Sequence, residues 1–269
     1  MAKLGVINYN WPGFSFEQFL RFVADNGVQY VELFSSLVMD DENDSHSERK
    51  AEGVRKQVES FGLQVGAVGA GNDFVQLEES EIGREVARMK RVCEVAKILG
   101  EDVVIRSEGG APKDSVAPER YLEAMHGCFS RCVEFAEALP INIAIDNHGV
   151  ITNDGDLLYE LIQKIGSPRI GTALDTMNYR WKGNSLETCD RFYQIMAPHV
   201  MYVHLKDGFD SLENYRGAAL GEGEIHLQHA LDCLRKAGYN GVYAAEYEGP
   251  EAEGGVGYAK CFQWMKENI

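Results

Sequence analysis

Met201-Tyr202-Val203-His204-Leu205-Lys206-Asp207 alternates apolar residues with Tyr202, His204 and Lys206. A period of two predicts a strand whose three polar-tipped side chains share one face. The polar groups gather at its C-terminal end, so a site is expected there. Three other stretches repeat the arrangement with a terminal carboxylate: Ile143-Ala144-Ile145-Asp146, Thr172-Ala173-Leu174-Asp175 and Val242-Tyr243-Ala244-Ala245-Glu246. The phase agrees in each. Asn142, Ala144 and Asp146 share a face opposite Ile141, Ile143 and Ile145, and the sets Gly171, Ala173, Asp175 and Val242, Ala244, Glu246 behave alike. With the apolar partners against a helix layer, all four polar ends point inward and can meet.

Outward from these four, the chain reads as eight strand-then-helix units. Strands are predicted at 4–8, 30–34, 64–70, 102–107, 142–146, 169–175, 200–206 and 241–246. Helical periodicity follows each, at 15–26, 47–61, 81–99, 118–138, 154–165, 185–197, 227–237 and 258–268. Gly27, Gly62, Gly100, Gly166 and Gly238 punctuate helix ends, and Pro118 suits a first helical turn, where its missing N–H costs nothing. Eight alternating units without a composition break predict an α/β fold of the (β/α)8 TIM-barrel type, one domain over 1–269, in preference to a doubly wound open sheet. No Gly-x-Gly-x-x-Gly turn follows the first strand; Gly66, Gly69 and Gly71 lie near the third and lack that spacing.

A hydrophobic share of 45% and a charged share of 25% are those of an ordinary globular protein with a large core. Lys and Arg number 26 against 42 Asp and Glu, a net charge of −16 that repels polyanions and argues against nucleic acid as a partner. No apolar run reaches the roughly 18 residues of a membrane span, and Met1-Ala2-Lys3 leads into a strand-like stretch without a signal-peptide pattern. A cytoplasmic protein is expected, with a small molecule as its partner and a homo-oligomer left open. Cys93, Cys128, Cys132, Cys189, Cys233 and Cys261 lie scattered in helical stretches and read as small buried hydrophobes.

Asp146, Asp175, Glu246 and His204 form a mixed oxygen and nitrogen donor set, which suits one divalent metal ion, Mn, Mg, Co or Zn, better than a soft metal. Three carboxylates at one mouth repel each other unless a cation neutralises them. A lone strand-end Asp is usually a cap, and a lone buried His a hydrogen-bonded core residue. Four in matching phase point instead to a joint metal site.

The motifs Ile145-Asp146-Asn147-His148-Gly149, Leu174-Asp175-Thr176-Met177-Asn178, Val203-His204-Leu205-Lys206-Asp207, Gly221-Glu222-Gly223-Glu224-Ile225 and Ala245-Glu246-Tyr247-Glu248-Gly249 resemble those of the xylose isomerase-like TIM-barrel superfamily. That group holds sugar isomerases and epimerases, inosose dehydratases and endonuclease IV. The resemblance implies that Asp146, Asp175, His204 and Glu246 are metal ligands, and that Asp146 and Glu246 move protons on either side of a substrate. The metal would bind adjacent carbonyl and hydroxyl oxygens, acidify the C–H beside the carbonyl and stabilise an enediolate. Two positions depart from the pattern. The fifth strand usually ends in Glu, one methylene longer than Asp146, which shortens its reach as a base; His148, in the same phase, is an alternative acid or base, or a contact to substrate or loop. Endonuclease IV has a His where this chain has Asn178, which disfavours a nuclease and makes Asn178 a candidate substrate contact.

Between Asp146 and Asp175, and between Asp175 and His204, lie steps of 29 residues, whereas His204 to Glu246 is 42. The excess predicts a long functional loop after the seventh strand, carrying Arg216 as a substrate-binding or merely solvated residue. Lys206 is expected to reach inward, to bind a substrate oxygen, stabilise an enolate or pair with a neighbouring Asp. Glu32, Arg106 and Glu108 point to the same mouth, to neutralise one another or bind hydroxyls. Tyr9, Trp11, Phe14, Phe34, Phe74 and Trp181 follow strands and could wall a sugar ring. The acidic run at 39–44 reads as a solvated loop, or as a lid.

The expected activity is a divalent-metal-dependent isomerase or epimerase acting next to the carbonyl of a keto sugar or related polyol. A metal-dependent lyase of the inosose dehydratase type and an inactive carbohydrate-binding barrel are the alternatives.

Overall fold

A computed structural model describes residues 2–40 and 44–269. Asp41, Glu42 and Asn43, the middle of the acidic run, lie outside the described residues.

Eight strands close into a barrel, every neighbouring pair parallel: β1 (Lys3–Ile7), β2 (Tyr30–Phe34), β3 (Gln64–Gly69), β4 (Val104–Ser107), β5 (Asn142–Asp146), β6 (Ile170–Asp175), β7 (Val200–Leu205) and, after a short antiparallel hairpin of β8 (Asp207–Phe209) and β9 (Arg216–Ala218), β10 (Val242–Ala245), which returns to β1. The open sheet is excluded. Helices α1 (Phe16–Asp25), α3 (Asp44–Ser60), α4 (Glu79–Leu99), α5 (Tyr121–Ala138), α6 (Gly155–Ile165), α8 (Leu186–Met196), α9 (Leu227–Lys236) and α10 (Val256–Asn268) join the strands. Two one-turn helices unforeseen in the sequence, α2 (Ser35–Val38) and α7 (Asn178–Trp181), follow β2 and β6 on the site's side.

Local chemistry explains where helices begin. Ser15 caps α1 by accepting from the Gln18 N–H while Gln18 Oε1 accepts from the Ser15 N–H, so two orphan donors are satisfied at once. Asp154 caps α6 in the same spirit, and Gly166 ends that helix at φ 63°, where a Cβ is penalised. Gly100, by contrast, is extended at φ 167°.

The alternation along the strands separates two packed regions. Ile105, Ile143, Ile145, Leu174, Val203 and Leu205 turn outward into the large core shared with the helices. Inside the barrel a smaller cluster holds Ala67, Val104, Ala144, Ala173, Tyr202, Val242 and Ala244. Burying each large apolar side chain contributes about 1.5–3 kcal/mol, and burial on both faces holds every strand in register, since a one-residue slip would turn its apolar set to the wrong side.

The long loop after β7 is organised by Asp207. Its carboxylate accepts from the N–H groups of Gly208, Gly221, Gly223 and Ile225. A Cβ on Gly223 would lie 2.0 Å from Asp207 Oδ1, which is why the Gly221-Glu222-Gly223 stretch takes glycine there. No helix among the described residues is long and apolar enough to cross a membrane.

Candidate metal centre

Register sets which strand ends meet. Asp175 on β6 pairs with His204 on β7, and His204 with Ala244 on β10, which places Glu246 one inward position further along. Asp175, His204 and Glu246 each offer a ligand atom, all within 4.8 Å of one another. Asp146 pairs with Ala173, one inward position before Asp175, and stands outside that group. The four-ligand set expected from the sequence is therefore drawn together in three of its members. The physical reason is reach: an Asp side chain starting a step lower does not arrive where the other three do.

His204 is buried and held at both ring nitrogens. Nε2 lies 2.5 Å from Glu32 Oε2 and Nδ1 3.0 Å from Glu246 Oε2. Burial alone would lower its pKa, but Glu32 and Glu246 outweigh it and carry the imidazole well above its ordinary value. Glu246 moves the other way: burial opposes ionisation, and Lys206 and His204 override it, leaving the carboxyl well below the usual range. Asp175 is pushed up to about 7, chiefly by burial, with Lys206 opposing and Glu246 and Asp146 adding to the rise. Its Oδ1 accepts from the N–H groups of Met177 and Asn178, at 2.7 and 2.8 Å, and so starts α7. Among the described residues, its Oδ2 is buried without a partner, and so is Oδ1 of Asp146.

The two cationic side chains beside the trio are saturated. Lys206 Nζ lies 2.9 Å from Glu246 Oε1 and 2.8 Å from Glu248 Oε2, with Asn178 Oδ1 at 3.5 Å. Arg106 donates to Glu32 at 2.5 Å and Asp146 Oδ2 at 2.9 Å, and pairs with Glu108 at 3.1 Å. Glu32 is thus buried between Arg106 and His204, both of which, against the cost of burial, lower its pKa. Carboxylates outnumber cations across the mouth, and a buried excess of negative charge is relieved by a bound cation. Oxygen and nitrogen donors, the Asp175 Oδ2 that has no partner among the described residues and a ring nitrogen facing Glu246 fit a divalent metal. The residues that would hold it are Asp175, His204 and Glu246.

Other expected residues distribute unevenly. His148 stands at the rim, its side chain 56% exposed and its Nδ1 3.9 Å from Asp146 Oδ2. Asn178 is buried beside Lys206. Arg216 does not reach the cluster: its side chain is 69% exposed on β9, pairing with Asp210 and lying over Phe209. Trp11 packs away in an aromatic group, stacked on Tyr258 at 4.1 Å with its Nε1–H donating to the Ile7 carbonyl. Phe74 is fully buried against Phe129, a core contact and not a sugar wall. Phe34 lies beside the Arg106 guanidinium, and Trp181 is half-buried at the end of α7.

Two contributors were not singled out from the sequence. Glu248 follows Glu246 by two residues, so the strand phase extended past the last β residue would have found it. Asn147 accepts from the Asp175 N–H and donates to the Asp175 carbonyl, tying the ends of β5 and β6 together; an odd-phase Asn carries no such signal.

A family model described as xylose isomerase-like TIM barrel matches residues 20–268. An uncharacterized protein of Methanocaldococcus jannaschii is 27% identical over 185 residues, 64% of this chain and 61% of that protein. An inosose isomerase of Bacillus velezensis is 20% identical over 185 residues, covering 66% and 65%. The chain thus spans less than two thirds of the length of these two relatives. Among solved structures, an IOLI protein with a bound zinc atom superposes with a TM-score of 0.79 at 16% identity, over 99% of this chain and 98% of the other. A D-psicose 3-epimerase in the presence of D-fructose gives 0.72 at 17% identity, over 97% and 94%. At these identities the structural likeness establishes the fold.

Proposed function

The chain belongs to the xylose isomerase-like TIM-barrel family, and on that premise we propose that it is a divalent-metal-dependent isomerase or epimerase of a neutral keto sugar or related polyol. One observation carries the reading. Asp175, His204 and Glu246 converge within 4.8 Å, and Asp175 Oδ2 is buried without a hydrogen-bond partner among the described residues. The inosose isomerase relative and the zinc-bearing and epimerase structures support it.

When bound, the metal supplies Lewis-acid polarisation of a substrate carbonyl. The chain's own residues do the rest. Glu32 keeps the Nε2–H of His204 engaged, so the ring presents Nδ1 toward the metal position, the arrangement in which an outer carboxylate orients a metal-binding His. Lys206, fixed by Glu246 and Glu248, holds an ammonium where an oxyanion can be stabilised. Glu246 and Asp146 bracket the mouth as the carboxylates able to accept and return a proton, with His148 at the rim. The pairing of Lys206 and Arg106 within the site supports an uncharged substrate, because a phosphate or carboxylate would have to displace existing ion pairs.

A lyase reading has its own support. Asp146 is locked to Arg106 whereas Glu246 sits among the metal-site residues, and such unequal carboxylates suit one-sided proton removal followed by loss of water.

The test is incubation of metal-loaded protein with a panel of keto sugars and inososes in deuterated water. Exchange of the proton beside the carbonyl with a sugar product supports the isomerase; an enone with strong ultraviolet absorbance selects the lyase. Bound metal with neither outcome identifies a binding barrel and overturns the proposal.

A further inference from the structure

Of the three inward strand-end carboxylates, Asp146 stands outside the metal group and is held by Arg106. Its Oδ2 accepts from Arg106 Nη1 at 2.9 Å, and the same guanidinium is anchored to Glu32 at 2.5 Å and to Glu108 at 3.1 Å. Arg106 is 4% exposed, so this fork is a fixed strut and not a surface contact. Glu108 is itself braced by the Gly71 N–H at 2.9 Å. Register places Asp146 level with Ala173, one inward step short of Asp175 and His204. Its remaining oxygen, Oδ1, is buried and has no partner among the described residues.

Resting on the metal reading above, we propose that the metal centre has three protein ligands, Asp175, His204 and Glu246, and that Arg106 holds Asp146 off the metal with Oδ1 reserved for a substrate hydroxyl. A charge-assisted bond from Arg to carboxylate is strong and directional when buried. To ligate the metal through Oδ1, Asp146 would have to advance the inward step by which it lies short of Asp175 and His204, pulling Oδ2 away from the buried Arg106 that fixes it. A three-ligand centre keeps open coordination positions, which a substrate that chelates through two adjacent oxygens requires. An unpartnered buried carboxylate oxygen beside those positions accepts the hydroxyl hydrogen that the chelated substrate presents.

The experiment is calorimetric titration of the metal-free full chain with Co²⁺, in the parent and in the Asp146→Asn and Asp175→Asn variants. The amide in Asp146→Asn retains an oxygen to accept from Arg106, so the strut survives. Expected are a Co²⁺ affinity within about threefold of the parent for Asp146→Asn and a loss of at least a hundredfold for Asp175→Asn. If Asp146→Asn loses as much as Asp175→Asn, this inference falls while the metal-dependent function stands. If the parent itself binds no Co²⁺, the proposed function falls and takes this inference with it. A crystal structure of the Co²⁺-loaded parent decides the matter without any variant: an Asp146 oxygen at bonding distance, about 2.0–2.2 Å, overturns the three-ligand centre, and a metal contacted by Asp175, His204 and Glu246 alone supports it.

Discussion

Glu32 and His204, 172 positions apart, meet at 2.5 Å inside the barrel, the carboxylate of β2 against the Nε2 of β7. Neither side chain is accessible enough for water to replace the other. The consequence is that the ring's second nitrogen, and it alone, is turned toward Glu246 and the metal position.

Glu32→Gln removes the anion shared by His204 and Arg106. Breaking a buried ion pair from one side costs about 3–5 kcal/mol, so the unfolding free energy from urea titration should fall by that amount. Where the variant stays folded, divalent-metal affinity should drop about 10–100-fold, as expected on losing an outer carboxylate. Unchanged stability and affinity would mean that the contact orients nothing.

Asp175→Asn separates pH effects. The pKa of Asp175 in the folded chain is about 7, above its unfolded value near 3.9. Between those two values the folded state binds more protons than the unfolded one, so this group makes stability fall as pH rises. Metal-free Asp175→Asn should therefore gain on the parent by a few kcal/mol from about pH 4 to 7 and hold that advantage above it. Parallel stability profiles for the two proteins would contradict the burial argument.

Two glycine substitutions should act in opposite directions. In Gly223→Ala the new methyl would fall 2.0 Å from Asp207 Oδ1 and break the cradle that orders the loop after β7; overpacking of this kind costs about 1–3 kcal/mol. Gly83→Ala, in α4, meets nothing within 4 Å and should stabilise the helix by about 0.5–1 kcal/mol. Thermal unfolding of the two variants beside the parent measures both.

Thiol labelling reports how closed the helix layer is. Cys93, Cys128, Cys189 and Cys261 have pKa values pushed up to about 12 by burial, and Cys132 is raised further still. Cys233 is only partly buried. A disulfide reagent at pH 8 should label no more than Cys233 in native protein and all the cysteines after unfolding; rapid native labelling of others would show that α4, α5, α8 or α10 opens readily.

Much of the mouth was legible because strand phase is a local property. Alternation at 142–146, 169–175, 200–206 and 241–246 places Asp146, Asp175, His204 and Glu246 on one face, and the closed barrel turns that face inward. Arg106, Glu32 and Glu108 were readable as inward and mutually neutralising for the same reason, though not the further contacts of Glu32 to His204 and of Arg106 to Asp146. For Arg216 and Trp11 the sequence left the direction open, because each lies in a connecting segment where no period constrains it: one turns out to Asp210 and the other stacks on Tyr258. The β8–β9 hairpin depends on four backbone donors converging on Asp207, an arrangement invisible until the loop is folded.

The sequence by itself determined the barrel, the eight units and the set of polar groups at its C-terminal mouth, since periodicity and helix punctuation act between near neighbours in the chain. Only the tertiary structure decided which of those groups touch. Inter-strand register and side-chain length set the height of each atom in the mouth, so Asp175, His204 and Glu246 come together while Asp146, a step lower and a methylene short, is taken by Arg106.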